Sequence, residues 1–403
     1  MKKTIKLAVV AALALGATSA FATNGSDLIG MGTKTRGMAG TGIGMSHGAE
    51  SALVNPALIT TVKGTEISFG GTIFMPDVKN TNNIGGGNFS ADSVANLNVI
   101  PEVSLATKIN DNFYVGVGMW GTGGMGTDYR HAAATASQLQ MVTNLQLMQF
   151  GVPLAYTTNG LSIAVTPILQ YGSLDINYIN PLNANVGAGV GQSLKFGYNL
   201  GLSYTIDALT VGAVYKSKID MEYEGVLSGT VTPIATGLGG SAYTNDQLST
   251  PAEYGLGASY VIGTSTVAID YKRIQWSNAK GYEDFKWDDQ DVIALGYEYN
   301  AKNWAARLGY NYASSPISEQ NYAGYQNGLT SGAVNTFNLL GFPAITQSHY
   351  AIGGTYNVSD KASFDVAYTY APEETNTYKN FAGKNITTKH SQNGVSVQLN
   401  YDF

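Results

Sequence analysis

The sequence predicts an all-β protein, an antiparallel transmembrane β-barrel of about fourteen strands, with its N-terminal segment folded inside the lumen. Three observations predict this. Apolar and polar residues alternate from Thr65 to the C-terminus. Short polar turns alternate with much longer connections. A glycine-rich stretch before Thr65 breaks the alternation and reads as a plug.

The chain opens with an export signal. Lys2 and Lys3 form a basic start, Leu7 to Leu15 an apolar core too short to span a bilayer, and Ala20-Phe21-Ala22 a small-x-small cleavage pattern. Residues 1–22 are therefore expected to be removed, leaving a mature chain that starts near Thr23.

The last segment shows the alternation most clearly. Val395, Val397, Leu399, Tyr401 and Phe403 share one face, and Ser396, Gln398, Asn400 and Asp402 the other. One apolar and one polar face suit a wall with lipid outside and a wet lumen inside. Comparable segments fall near Thr65–Met75, Leu97–Leu105, Phe113–Trp120, Leu145–Tyr156, Leu161–Tyr171, Leu194–Thr205 and Thr210–Tyr215. They continue near Glu253–Val261, Thr266–Ile274, Gln290–Tyr299, Trp304–Tyr312, His349–Asn357, Ala362–Tyr370 and Gly394–Phe403.

The connections sort into two kinds. Short polar turns run through Ile109–Asn112, Thr157–Gly160, Asp207-Ala208, Gly263-Thr264, Asn300–Asn303 and Val358–Lys361. Between them come long stretches such as Lys216–Ala252 and Ala313–Ser348. Short turns on one rim and long loops on the other are the layout of an outer-membrane barrel. A secreted sandwich or solenoid is the alternative and would not sort its loops this way.

Aromatic residues fit the barrel. Tyr297, Tyr299, Trp304, Tyr310, Tyr312, Tyr368, Tyr370, Tyr401 and Phe403 cluster at segment ends on the apolar parity, as interfacial girdles require. Phe403 also resembles the terminal residue by which bacterial barrels are recognised for assembly.

Composition agrees. Of the 403 residues only 12% are charged, against roughly 25% in ordinary soluble domains, and glycine (49) and tyrosine (26) are abundant. The mean hydropathy is -0.04. Cysteine is absent, so disulfides and thiolate metal sites are excluded. A net charge of -6 argues against a nucleic-acid partner.

Residues 23–64 carry Gly25, Gly30, Gly32, Gly37, Gly40, Gly42, Gly44 and Gly48 and no sustained alternation. With an even number of strands this segment starts on the short-turn side. A barrel of about fourteen strands is too wide for its wall side chains to fill, so a compact glycine-rich plug is expected. A flexible periplasmic tail is the alternative.

The run Ser51-Ala52-Leu53-Val54-Asn55-Pro56-Ala57-Leu58-Ile59-Thr60 resembles the N-terminal hatch of the FadL family of long-chain fatty acid transporters, with its Asn-Pro-Ala signature. Arg36-Gly37-Met38-Ala39-Gly40-Thr41-Gly42 is similar to the stretch before that signature. Gly255 to Tyr260, Asp270 to Trp276, Arg307 to Tyr310 and Gly341 to Ala344 resemble strands and a loop of the family's second half.

The resemblance implies a hatch over 23–64 marked by Arg36, Asn55, Pro56 and Ala57, and a barrel over 65–403 with fourteen strands. It implies capture of hydrophobic substrate by the outer loops, a pocket in the barrel, hatch movement, and a lateral gap at a kink in the third strand. By position that kink falls at Gly121, Gly123, Gly124 and Gly126, where a glycine run holds a ladder poorly; an ordinary loop start is the alternative. Pro101, Pro153 and Pro167 also remove ladder hydrogen bonds, so prolines alone do not mark the gap.

Enzyme chemistry is not visible. Gly116-Val117-Gly118-Met119-Trp120-Gly121 matches G-x-G-x-x-G but lies in an alternating strand with no helix after it. His47, His131, His349 and His390 are scattered without metal-ligand spacing. Neither a catalytic constellation nor a nucleotide or redox cofactor motif is found. The acidic run Glu283, Asp284, Asp288, Asp289 and Asp291 reads as a solvated loop or as a cation site.

Parity places Glu66, Glu102, Lys195, Glu253, Asp270, Lys272, Glu298, Arg307 and Asp365 on the lumen side. Mutual pairing is their ordinary role; the sharper expectation is that Lys195, Lys272 or Arg307 receives a substrate carboxylate. Met125, Leu139, Met141, Leu145, Leu339, Leu340 and Phe342 are candidates for an outer hydrophobic groove, or simply pack the loops. The expected function is passive uptake of hydrophobic small molecules across a Gram-negative outer membrane. Long-chain fatty acids are the leading substrate, and monoaromatic hydrocarbons, a general porin and a surface adhesin the alternatives. The expected partners are the substrate, outer-membrane lipids and lipopolysaccharide, and the assembly machinery through Phe403, with the chain a monomer.

Overall fold

The computed structural model describes residues 23–403 apart from 85, 134–136, 181 and 327–328. The expected leader, 1–22, lies outside the described residues.

Fourteen strands form one antiparallel sheet that closes on itself. They are β1 (Thr65–Asn82), β2 (Asn98–Lys108), β3 (Phe113–Asp128), β4 in two stretches (Val142–Gly151 and Leu154–Thr158), β5 (Leu161–Ile179), β6 (Gly191–Ile206) and β7 (Leu209–Lys216). Then follow β8 (Glu253–Ile262), β9 (Ser265–Ile274), β10 (Gln290–Asn300), β11 (Trp304–Ala313), β12 (Ser348–Asn357), β13 (Ala362–Lys379) and β14 (Asn385–Asp402). Each pairs with the next, and β14 pairs with β1 from Ile386↔Asn82 to Asp402↔Glu66, which leaves no sheet edge.

Every segment read from alternation is a strand. Several, notably β1, β3, β5, β13 and β14, run well past their expected ends on the long-loop side. In β1, β5, β13 and β14 the sheet there projects beyond lipid and the apolar face turns polar, as in Thr375–Lys379, so the pattern fades while the ladder continues; in β3 the extension is buried throughout.

The sidedness is the inverse of a soluble protein's. Leu256 (62% exposed), Leu308 (56%) and Leu399 (58%) point out, while Asp270 (1%) and Gln398 (3%) are buried inside. Only surrounding hydrocarbon makes such an apolar outer band favourable. The short turns gather at one rim; in β4–β5 both Asn159 (φ 49°) and Gly160 (φ 80°) take the left-handed conformation that a tight two-residue hairpin demands.

The long connections carry two helices, α2 (Val226–Gly237) and α3 (Ser331–Leu340). Beneath them a large apolar cluster includes Trp120, Tyr223, Trp276, Phe285, Trp287, Phe337, Leu339 and Phe342. This cluster occupies the outer half of the barrel interior, with buried polar residues such as Gln138, Asn335 and His390 among it, and reaches Leu53 and Ile59 of the N-terminal segment, around which the inward charges gather.

Candidate functional site

Residues 23–62 fold as a two-stranded turn (Thr23–Asn24 with Asp27–Leu28), a short helix α1 (Thr33–Gly37) and two 3-10 turns (Gly48–Leu53 and Pro56–Thr61). Inward-facing groups hold the segment on every side. Asp270 on β9 accepts from the Gly42 and Ile43 amides at 2.7 and 2.9 Å, and Ser259 on β8 donates to the Gly44 carbonyl at 2.7 Å. Glu66 on β1 accepts from the Ala49 amide at 3.0 Å. Close backbone approach needs glycine here: a Cβ at Gly309 on β11 would lie 2.3 Å from the Met38 carbonyl carbon. Residues touching strands all round a closed ring lie within that ring.

Two residues of the expected signature have visible local reasons. Asn55 caps the second 3-10 turn, its Oδ1 accepting from the Ala57 amide at 3.1 Å, while Nδ2 donates to the carbonyls of Ile43 (2.7 Å) and Leu202 (3.1 Å). Pro56 starts the turn, where its missing N–H costs nothing. Arg36, at the end of α1, makes a two-pronged ion pair with Glu102 on β2. Glu50 sits under the start of α1 and accepts from Lys34 and Thr35 amides at 3.1 and 2.7 Å. Burial alone would raise its carboxyl, but His47, Lys34 and the Thr35 donors hold it below the ordinary range.

Gly121, Gly123, Gly124 and Gly126 do not end β3. The strand continues to Asp128, with a register shift between Gly121 and Gly123 against β4. Over this stretch β3 leaves β2: the last shared rung is Glu102↔Trp120, and Asn98–Pro101 pair with β1 alone. The two sides rejoin above, where the Val94 amide donates to the Asp128 carbonyl at 3.0 Å. A window is left in the wall. All of β3 from Met119 to Asp128 is buried, because this part bends into the lumen.

The N-terminal turn stops this window. Asp27 bridges to Gly123, the Gly124 amide donates to the Ser26 carbonyl at 2.9 Å, and Leu28 packs with Phe74 and Ile100 on the other bank. The side chains of Asn24, Asn98 and Thr122, and Asp27 Oδ1, are buried here without hydrogen-bond partners.

The inward cations are paired. Lys272 lies 4.0 Å from Glu253, and Arg307 donates to Glu298 at 2.5 Å and to Thr355 at 2.7 Å. Lys195 is the most open, 44% exposed and only 3.9 Å from an equally open Glu222. Sequence reasoning missed Lys216, one residue beyond the segment drawn for β7, which pairs with Glu253 at 2.9 Å.

The seven loop residues expected at a hydrophobic groove are all buried. Met125, Met141, Leu145, Leu339, Leu340 and Phe342 pack in the interior cluster, because β3, β4 and α3 fold over one another. Leu139 belongs to the same cluster and also borders an open, mostly apolar cavity of about 260 Å³, whose other walls include Tyr178, Asn180, Leu182, Pro233, Ile234 and Phe381. Apolar residues flanking a helix with Pro233 at its centre are the signal that could have found it. The acidic loop is spoken for: Asp289 and Asp291 meet Arg273, and Asp284 accepts from Tyr243 and Asn245. No cluster of three or more metal-binding side chains occurs among the described residues.

The model of the family described as outer membrane protein transport protein (OMPP1/FadL/TodX) matches residues 8–324. A 47 kDa outer membrane protein of Pasteurella multocida is 25% identical, over 90% of this chain and 92% of its own. A long-chain fatty acid transport protein of Escherichia coli O6:H1 is 24% identical, over 91% and 90%. Among solved structures, the toluene transporter TodX of Pseudomonas putida superposes with a TM-score of 0.69 at 17% identity, covering 94% of this chain and 99% of its own. A Pseudomonas aeruginosa FadL homologue gives 0.67 at 16%, covering 94% and 100%. The Escherichia coli and Pseudomonas putida proteins carry the names of transporters. The chain belongs to the OMPP1/FadL/TodX family of Gram-negative outer-membrane transport proteins.

Proposed function

We propose that this chain carries long-chain fatty acids passively across the outer membrane. Substrate is caught by the loop cavity around Leu182 and Ile234, enters the apolar interior, and leaves through the window between β2 and β3 when the N-terminal segment, acting as a hatch, moves. The apolar cluster in the outer half of the interior, from Trp120 to Phe342, supports this reading. A channel for polar solutes would have no use for it.

Lys195 is the cation best placed to meet a carboxylate, since both it and its partner Glu222 at 3.9 Å are open to solvent. Its openness favours an acid over a hydrocarbon. The relatives named as fatty acid transporters point the same way, while the solved toluene transporters keep monoaromatic hydrocarbons as the second reading.

The test is uptake of labelled oleate and of toluene in a strain lacking this protein, complemented with the native chain, with Asn55→Ala/Pro56→Ala, or with Lys195→Gln. Native complementation should restore oleate uptake, the hatch variant should not, and Lys195→Gln should lower oleate but spare toluene. Complementation that changes neither uptake refutes the transport reading.

A further inference from the structure

The Thr23–Leu28 turn touches both banks of the window; elsewhere it is held by the Thr23 amide donating to Gln392 at 3.2 Å, by the Ser26 and Tyr282 hydroxyls 3.1 Å apart, and by Trp276 against Gly25. Asp27 bridges to Gly123 on the β3 bank, and Leu28 packs on Ile100 of the β2 bank. A Cβ at Gly123 would lie 2.6 Å from the Ser26 carbonyl oxygen, so the fit is close. On its inner side Asp27 faces a cavity of about 30 Å³ shared with Thr122, Gln149, Lys216, Thr250 and Glu253. That is room for about one water. Asp27 Oδ1 and the Thr122 hydroxyl have no partner there.

We infer that the Thr23–Leu28 turn is a proton-controlled door for the window between β2 and β3, docked while Asp27 is neutral and released as it ionises. An ionised Asp27 in this place would have at most one water for its unpartnered oxygen and the Glu253 carboxylate nearby, whereas a neutral one is penalised far less by either. The charged groups facing it are Glu253 on β8, Lys216 on β7 and Lys272 on β9, with the Tyr282 phenol above; β3 and β4 contribute the uncharged Thr122 and Gln149. Lys216 and Lys272 share Glu253 and so only partly offset it.

Burial first, then Glu253, pushes the docked Asp27 carboxyl up to about 7. Released into water it would return to about 3.9. The docked form therefore binds the proton preferentially. Docking is undiminished below about pH 4, weakens about tenfold per pH unit up to about pH 7, and is constant above. Acid closes the door and neutral pH loosens it.

The inference takes the window as the exit proposed above, but docking can be read without any substrate. The Trp276 ring lies against Gly25 in the turn, so close that a Cβ there would approach it to 2.6 Å. The full chain contains four tryptophans. Labelled with 5-fluorotryptophan and purified in micelles, it should give four fluorine resonances, that of Trp276 identified by its loss in Trp276→Phe. The Trp276 signal should move between about pH 4 and 7, stay still in Asp27→Asn, and shift its transition to lower pH in Glu253→Gln. A pH-independent Trp276 signal in the native chain, or an unchanged transition in Asp27→Asn, overturns the door. If Asp27→Asn does not fold, an unmoved transition in Glu253→Gln does the same.

Discussion

Arg36 on the N-terminal segment and Glu102 on β2 form a two-pronged ion pair with 3% and 2% of their side chains exposed, on the last rung before β3 leaves the wall. Glu102 also accepts from the Gly32 amide at 3.2 Å. The pair ties the segment to the lower frame of the window.

Removing one partner should hurt more than removing both. Glu102→Gln leaves the Arg36 guanidinium buried without its counter-charge, a loss of about 3–5 kcal/mol. Frequent conductance steps in planar bilayers are expected where the native chain is quiet. Arg36→Met/Glu102→Leu, which removes both charges, should be nearly as quiet as the native protein. Equal leakage in the single and double variants would show that the charges do not hold the segment.

Asn55→Ala should loosen the second 3-10 turn without disturbing the barrel. It removes the cap on Ala57 and both donors to Ile43 and Leu202, a local cost of roughly 1–3 kcal/mol. Amide exchange measured by mass spectrometry should accelerate for residues 55–61 and stay slow in β6. Unchanged exchange in the turn counts against a bracing role for Asn55.

Acid should release α1. The Glu50 carboxyl is held below its ordinary range, so its contribution is present above that range and lost as pH falls through its lowered folded value. Exchange at residues 33–36, corrected for its intrinsic pH dependence, should rise only below about pH 4, and Glu50→Gln should abolish that dependence. The change lies on the acid side of the Asp27 window and has the opposite sign, so the two are separable in one titration.

A charge in the outer cavity should impair capture alone. Leu182 is 87% exposed and Ile234 borders the same cavity. Leu182→Asp/Ile234→Asp should raise the oleate concentration for half-maximal uptake several-fold, leaving heat-induced unfolding on gels unaltered. Unchanged concentration dependence would remove this cavity from the route.

The barrel was almost wholly legible, because lipid on one face and water on the other imposes a period-two pattern on each strand. The Val395–Phe403 run shows both faces in the letters alone. Legibility failed where that rule stops. Past the membrane, β13 runs through Thr375 and Thr377 with no apolar face to announce it. The helix α3 went unread because it is buried on every side by segments distant in sequence, which no local period records; α2 buries Val226, Leu227, Thr230, Val231 and Ala235 at helical spacing, a pattern obscured by Gly229 and Pro233. Asp27 and Lys216 were missed for a different reason: their meeting depends on how the N-terminal segment seats against β7 and β8. Asn55 was found by its motif, yet its partners Ile43 and Leu202 could come only from the fold.

The clasp of β14 on β1, continuous from Ile386↔Asn82 to Asp402↔Glu66, fixes an order of assembly. The cylinder cannot be finished until the last residues of the chain arrive, whereas the segment inside it is made first. A segment that touches so many strands is most directly enclosed while the sheet is still an open, curling ribbon. A chain cut short before β14 should therefore expose both an unsealed seam and an unwrapped filling, a species for quality-control proteases rather than a leaky pore.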